Sequence, residues 1–264
     1  SRGLGDVYKR QSQGSPLQSG MASLAHKVQA SFNEQDKATL VRHGMSYGSP
    51  SIKQALGELK AEGCDELVVL SLYPQNALST TGVVADKTLA ALSALDWHPQ
   101  TKLVGYYSAH LLYLEAIAAS IRAAGFDSSA GDKLLFAFHS IPVRDIRNGD
   151  DYEDKARATA NAVARLLELD VQDWALGFQC RFDKARSWLG PFIPEALQTL
   201  GAPRGRLFVV APNFSIDCLE TLYDIDIELR QQVCEDPALQ IESDRFVYVP
   251  CLNLSLIHIS EPTR

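Results

Sequence analysis

Two segments far apart in the sequence place ionisable side chains just beyond apolar strands. The predicted strand 133–138 is followed by His139, and the predicted strand 206–211 is followed by a run that contains Glu220. Open α/β sheets bind ligands at the carboxyl ends of their strands. A histidine there accepts a proton near neutral pH or binds a metal, although a lone histidine more often only caps or packs. A histidine with a carboxylate predicts proton and metal chemistry.

Three carboxylates recur at helical spacing in the predicted helix 217–234. Glu220, Asp224 and Glu228 stand at positions i, i+4 and i+8, which stacks them on one helix face. Like charges at this spacing destabilise a helix by a few tenths of a kcal/mol per pair. A solvated acidic face is the ordinary interpretation of such a stripe. The stripe starts just after the predicted strand 206–211, where a ligand cleft is expected, and this position favours a second interpretation, a path for hydrated cations or protons. Oxygen ligands suit hard and borderline divalent metals.

A polar loop, residues 73–82, follows the predicted strand 66–72. The hydroxyl groups of Tyr73, Ser79, Thr80 and Thr81 could bind the carboxylates of a ligand there. An ordinary turn and helix cap explains the same residues equally well.

Two shorter motifs suggest other chemistries. Residues 40–44 resemble the strand-to-loop segment of histidine phosphatases, in which His43 would accept a phosphoryl group. Residues 44–48 match the G-x-S-x-G nucleophile elbow around Ser46, but that motif needs a helix directly after the serine. Ser49 and Pro50 predict a later helix start, with a hydroxyl cap and a proline at the first helical position. Short motifs of this kind match by chance often. No glycine-rich nucleotide motif is present.

Helices and strands alternate along the chain, which predicts an α/β fold with doubly wound parallel sheets. The predicted strands are 38–42, 66–72, 102–107, 133–138, 174–179, 206–211 and 245–249. The run 66–72 is continuously apolar, as expected for a strand buried on both faces. The pattern repeats after a polar break at 127–132, which predicts a domain boundary there.

Composition narrows the class of protein. The chain has 264 residues, 46% of them hydrophobic, and a net charge of −7, which argues against nucleic-acid binding. The cysteines are odd in number and form no CxxC pair, which favours a reducing cytoplasm over a disulfide framework. No apolar run is long enough to span a membrane, so any membrane contact is expected to be peripheral.

Read together, these segments resemble the ferrochelatase family, whose members insert ferrous iron into a porphyrin. The matching segments keep the family's order from Gly14 to Asn253. They are 14–17 (GSPL), 45–52 (MSYGSPSI), 72–75 (LYPQ), 79–82 (STTG), 136–142 (FAFHSIP), 149–152 (GDDY), 178–182 (FQCRF), 188–191 (WLGP), 214–222 (FSIDCLETL) and 248–253 (YVPCLN). The form of the 214–222 segment is similar to that of bacterial protoporphyrin enzymes.

The resemblance implies two Rossmann-like domains with a porphyrin cleft between them. Residues 14–126 would form the first, truncated domain and residues 127–253 the second. Residues 1–13 and 254–264 look foreign to the protein and are expected to be disordered. The family's first strand, its porphyrin-binding lip and its last helix would then be missing. We therefore expect this chain to be weakly active or inactive, although its parent gene encodes an active enzyme.

The resemblance also implies roles for individual residues. His139 and Glu220 would be catalytic, and the metal path would comprise His139, Glu220, Asp224 and Glu228. The walls of the porphyrin cleft would be formed by Tyr47, Tyr73, Ser79, Thr80, Thr81 and Trp188. Ferrous iron is then a substrate and no organic cofactor is needed. The expected location is the cytoplasm, in solution or at the periphery of the inner membrane.

Some positions depart from the family pattern. Ser46 replaces an arginine, Asn76 a tyrosine and Asp151 a proline. Leu78 stands where some relatives carry a cysteine ligand, so we expect no iron–sulfur cluster. Three alternatives stay open: a cobalt or sirohydrochlorin chelatase, which should lack the STTG loop, a histidine phosphatase using His43, and a non-catalytic porphyrin- or haem-binding protein.

Overall fold

The computed structural model describes residues 15–35, 38–179, 185–239 and 241–253. The predictions for residues 1–13 and 254–264 lie outside the described residues.

The described residues form alternating helices and parallel strands. The α-helices are α1 (Pro16–Glu34), α2 (Ile52–Ala61), α3 (Val83–Ala94), α4 (Leu111–Ala123), α5 (Val143–Arg147), α6 (Tyr152–Leu166), α7 (Ile193–Leu200), α8 (Leu219–Leu222) and α9 (Arg230–Glu235). The strands are β1 (Glu66–Leu70), β2 (Gln100–Val104), β3 (Lys133–His139), β4 (Trp174–Gln179), β5 (Leu207–Val210) and β6 (Phe246–Val249). Among the helices of the described ranges, none is both long and apolar enough to cross a membrane.

The second half of the chain contains a four-stranded parallel sheet in the order β4-β3-β5-β6. The chain runs from β3 outward to β4 and then returns to the other side of β3. The strand order therefore reverses between β3 and β5, and a doubly wound sheet binds its ligands at such a reversal. Residues 134–138 of β3 are fully buried, as expected for a strand covered on both faces. The predicted doubly wound fold is confirmed in this half.

Helices cover both faces of this sheet. Ile121 of α4 and Val163 of α6 belong to the core on one face, and Leu197 of α7 belongs to the core on the other. Helix α4 precedes the predicted boundary at 127–132, yet it packs on the sheet that follows that boundary. Sequence position alone therefore does not decide with which half a helix packs.

The first half contains the two-stranded parallel sheet β1-β2, with α2 and α3 packed on one face. Leu67 is buried there, but Val68 is 64% exposed and Leu70 is 53% exposed. The prediction of a strand buried on both faces is therefore wrong for β1, because helices of the described residues cover only one face.

The predicted strand 38–42 is also wrong. The Gln29 side chain accepts a hydrogen bond from the Val41 backbone N–H at 2.8 Å and donates one to the Thr39 carbonyl at 2.8 Å. A side chain of α1 thus satisfies backbone groups that a neighbouring strand would otherwise bind.

Two helix boundaries also differ from prediction. Helix α2 begins after Ser51, whose hydroxyl accepts from the Gln54 N–H while the Gln54 side chain accepts from the Ser51 N–H. This capping box moves the helix start two residues beyond the predicted cap at Ser49. The predicted continuous helix 217–234 is divided into α8, a π-helical segment (Asp224–Leu229) and α9. Another π-helical segment, Leu78–Gly82, lies within the loop predicted at 73–82.

Hydrogen bonds join the two halves beside the carboxyl ends of the strands. The hydroxyl groups of Tyr107 and Ser215 lie 2.7 Å apart, and Ser215 also donates to the Leu72 carbonyl at 3.0 Å. The Leu78 N–H donates to the Asp150 carboxylate at 2.7 Å. These contacts link the loops after β1 and β2 to the segments after β3 and β5, so both halves meet at the edge where doubly wound sheets bind ligands.

Candidate active site

His139 is the last residue of β3 and lies half-buried at the point where the strand order reverses. Its Nδ1 atom lies 2.8 Å from the carbonyl oxygen of Ser140. A carbonyl only accepts hydrogen bonds, so Nδ1 carries the hydrogen and the lone pair of the neutral ring is on Nε2. The Tyr152 hydroxyl donates to the His139 carbonyl at 2.8 Å, which holds the backbone in place. Nε2 is therefore the nitrogen that can act as a base.

The loop after β3 pairs with residues 187–189, and this pairing brings Trp188 next to it. The Leu189 N–H donates to the Ile141 carbonyl at 2.9 Å, and Pro142 and Trp188 form an antiparallel bridge. The buried Ser140 hydroxyl donates to the Leu189 carbonyl at 2.8 Å. The predicted site residues His139 and Trp188, 49 positions apart in the sequence, thus lie on paired segments.

Asp217 anchors the turn between β5 and α8. Its carboxylate accepts hydrogen bonds from the Tyr248 hydroxyl at 2.6 Å, the Asn253 amide at 2.8 Å and the Thr221 hydroxyl at 3.0 Å. Burial acts to raise the pKa of Asp217, but hydrogen bonds from Asn253, Tyr248 and Cys251 outweigh it and hold the pKa below its usual value. The ionised carboxylate fixes the start of the helix that carries Glu220.

Sequence reasoning gave Asp217 no role of its own. The available signal was a carboxylate followed four residues later by a threonine at a helix start, which is typical of local side-chain capping.

The acidic stripe begins on α8 and continues into the π-helical segment. Glu220 and Asp224 are half-buried, whereas Glu228 is exposed. Burial, followed by the negative charges of Glu220 and Glu228, raises the pKa of Asp224 to about 6. Asp224 thus lies close enough to Glu220 and Glu228 to be influenced by both, and the stripe extends from exposed Glu228 to half-buried Glu220. Within the described ranges, no three histidine, cysteine or acidic side chains are grouped to hold a metal ion.

The first half of the chain contributes tyrosines to the same edge. Burial raises the pKa of Tyr73, and the nearby Glu220, Cys218 and Tyr47 raise it further. This electrostatic interaction places Tyr73 near Glu220, although the two residues come from different halves. Tyr47 is 78% exposed.

Thr80 and Thr81 make hydrogen bonds within the first half of the chain. The Thr80 hydroxyl accepts from the Ala77 N–H at 3.1 Å, as in an ordinary turn cap, and the Thr81 hydroxyl lies 3.4 Å from the Ser71 hydroxyl. Ser79 is exposed. Contacts of Ser79, Thr80 and Thr81 with a ligand therefore stay predictions. Asp150, which sequence reasoning left without a role, accepts from the first N–H of this π-helical segment.

The geometry does not favour the two alternative motifs. The residues before His43 form no strand, and residues 46–50 form bends rather than the helix that a nucleophile elbow requires after Ser46.

A half-buried histidine and an acidic stripe at the edge where two α/β halves meet are the features expected of a chelatase-like protein. The fold is similar to that of SirB from Bacillus subtilis with Fe3+, with a TM-score of 0.61 over 93% of this chain and 88% of that chain. The sequence identity is 12%, so this likeness establishes the fold alone.

The chain belongs to the ferrochelatase family, whose model matches residues 2–260. It is 36% identical over 247 residues to the ferrochelatase of Nitrosococcus oceani, covering 93% of this chain and 66% of that protein. It is 39% identical over 217 residues to the ferrochelatase of Aromatoleum aromaticum, covering 82% of this chain and 58% of that protein. Ferrochelatase 1 of Shewanella oneidensis is 36% identical over 254 residues, which cover 94% of this chain and 73% of that protein. The chain thus spans less than two thirds of the first two relatives.

Proposed function

We propose that the protein to which this chain belongs inserts ferrous iron into protoporphyrin IX to form haem. The observation that carries this proposal is the meeting of a base and an acidic path at one edge. His139 ends β3, and the acidic stripe of Glu220, Asp224 and Glu228 follows the neighbouring strand β5. The rings of His139 and Phe214 pack edge to face with centroids 6.5 Å apart, which links the two strand ends. Family membership supports the same activity.

The reaction replaces two pyrrole N–H protons of the porphyrin with one Fe²⁺ ion and releases both protons. Nε2 of His139 takes one of these protons, because the tautomer with hydrogen on Nδ1 leaves the lone pair there. The Nδ1–H···O bond to Ser140 becomes charge-assisted once the ring is positive, which stabilises the protonated base.

The acidic stripe serves the metal and the released protons. Its carboxylate oxygens suit a hydrated divalent ion such as Fe²⁺, and Glu220 lies at the inner end of the stripe. A carboxyl with a pKa of about 6, as at Asp224, exchanges protons readily near neutral pH. The stripe can therefore pass cations inward and protons outward.

The walls of the porphyrin cleft are then Tyr47, Tyr73, Trp188 and the segment 79–81. No organic cofactor or iron–sulfur cluster takes part in this scheme. The protein works in the cytoplasm, where it can contact the inner membrane peripherally, and it binds porphyrin and iron rather than nucleic acid.

The test is anaerobic metal insertion, followed by the loss of free protoporphyrin fluorescence after Zn²⁺ or Fe²⁺ is added. The chain is compared with His139→Ala and with the control His98→Ala, whose imidazole is exposed beside Asp96. We expect insertion by the chain, however slow, and by the control, with a rate at least ~100-fold lower for His139→Ala, because a positioned base contributes about that much.

Equal insertion rates in the chain and in His139→Ala would reject the role of His139. Porphyrin binding without a metal-dependent loss of fluorescence in all three proteins, and also in the longer protein to which the chain belongs, would favour a porphyrin carrier. A phosphatase activity that is lost in His43→Ala but retained in His139→Ala would replace the proposal altogether.

A further inference from the structure

Among the described residues, neutral groups hold the side chain of Lys87 beside the exposed Tyr47. Lys87, on the second turn of α3, donates a hydrogen bond to the Ser46 carbonyl, and its Nζ atom lies 3.7 Å from the centroid of the Tyr47 ring. In the described part of the chain, no carboxylate lies within ion-pairing distance of this lysine. A half-buried ammonium with only a carbonyl and a ring face as partners has its charge incompletely compensated.

Lys87 lies on the helix that continues directly from the segment Leu78–Gly82, and the Leu78 N–H of that segment binds the Asp150 carboxylate of the second half. The Tyr47 ring that it contacts is exposed, and Tyr47 also influences the pKa of Tyr73. Tyr73 in turn is influenced by Glu220. Tyr47, which Lys87 contacts, and Glu220 are therefore both near Tyr73.

The rim turn itself carries no cation in this chain, because Ser46 stands where the family motif has an arginine. Lys87 brings a cation to the same turn from a different element. An ammonium group has three N–H donors. The Ser46 carbonyl takes one and the Tyr47 ring face covers another, so a donor remains for an anionic ligand.

We propose that Lys87 binds a carboxylate side chain of the tetrapyrrole at the rim of the cleft and so selects acidic porphyrins over uncharged ones. This inference rests on the proposed function, whose substrate carries two propionate groups. The Ser46 carbonyl and the Tyr47 ring hold the ammonium in place before the ligand arrives, which lowers the entropy cost of binding. Lys87 is thus a specificity residue, separate from the base and the acidic stripe.

The test is equilibrium binding of protoporphyrin IX and of its dimethyl ester, measured by fluorescence. The chain is compared with Lys87→Gln, with Lys87→Arg and with the control Lys102→Gln, which removes an exposed charge from β2. We expect Lys87→Gln to weaken binding of the diacid about two- to fivefold, the magnitude of a partly exposed ion pair, and to leave binding of the ester unchanged. Lys87→Arg and Lys102→Gln should bind both porphyrins as the chain does.

Unchanged affinity of Lys87→Gln for the diacid would overturn the inference and leave the proposed function intact. Equal weakening toward the diacid and the ester would also overturn it, because Lys87 would then only support the Tyr47 turn. Absence of binding to either porphyrin by the unaltered chain would remove the proposed function itself and this inference with it.

Discussion

Replacing Asp224 with asparagine should make the protein more stable at neutral pH. Burial and the charges of Glu220 and Glu228 raise the pKa of Asp224 from 3.8 to about 6. The folded state therefore holds the proton of Asp224 more tightly than the unfolded state does. Above the folded pKa the carboxyl is ionised in both states, and only the folded state bears the cost of burying this charge and the repulsion from Glu220 and Glu228. An uncharged amide of similar shape removes this cost.

The size of the effect follows from the shift. Each tenfold change in proton affinity is worth about 1.4 kcal/mol, so this shift corresponds to about 3 kcal/mol for a fully enclosed group. Asp224 is half-buried and screened by solvent, which reduces the expected gain to about 1 kcal/mol. The gain is absent below pH 3.8, grows as pH rises between the two pKa values, and is complete above about pH 6.

The measurement is urea denaturation of the chain and of Asp224→Asn at about pH 5 and about pH 8, with the larger gain expected at the higher pH. Asp226→Asn is the matched control in the same π-helical segment. Asp226 forms an ion pair with Arg230 at 2.5 Å, so its replacement should destabilise the protein by about 0.5 kcal/mol. A destabilised Asp224→Asn variant, or a gain that does not depend on pH, would refute the electrostatic reasoning.

Two further substitutions test how the sheet is held at its amino edge and how the turn before Glu220 is held at the other edge. Asp132→Ala should lower the free energy of unfolding, measured by urea denaturation, by about 3 kcal/mol. The buried Asp132 carboxylate binds the Arg206 guanidinium at 2.7 Å and accepts hydrogen bonds from backbone N–H groups. A loss below about 1 kcal/mol would contradict this prediction. Asp217→Asn should cost about 2 kcal/mol at neutral pH through its hydrogen bonds from Tyr248 and Asn253. Because folding lowers the pKa of Asp217, its carboxylate stabilises the protein above the usual pKa, and this stabilisation is lost as pH falls through the pKa of the folded state. The difference in unfolding free energy between the chain and Asp217→Asn should therefore shrink below pH 3.8. A difference that stays constant with pH would contradict this prediction.

Local sequence patterns predicted the second half of the chain well. The predicted strand 174–179 coincides with β4, and 133–138 matches β3 to within one residue. These strands are continuous apolar runs covered on both faces, so local hydrophobicity and final burial agree. The same pattern gave a wrong prediction for β1, because an apolar run does not show whether helices cover one face of the strand or both.

Helix geometry at the site depended on more than periodicity. The spacing of Glu220, Asp224 and Glu228 predicted one acidic face, and their electrostatic interaction fits that prediction. Periodicity did not reveal the π-helical segment, in which the Glu228 N–H donates to the Tyr223 carbonyl at 2.8 Å instead of bonding four residues back.

The sequence by itself determined the alternation of helices and strands, the parallel sheet and the residue types that could do the chemistry, because these follow from hydrophobic period and from side-chain composition. Only the tertiary structure decided which residues meet. Three pairs of residues show this, because each joins segments that are far apart in the chain: Tyr73 with Glu220, Lys87 with Tyr47, and Asp217 with Tyr248. Such contacts depend on strand order and on the packing of the two halves, which no local pattern of residues encodes.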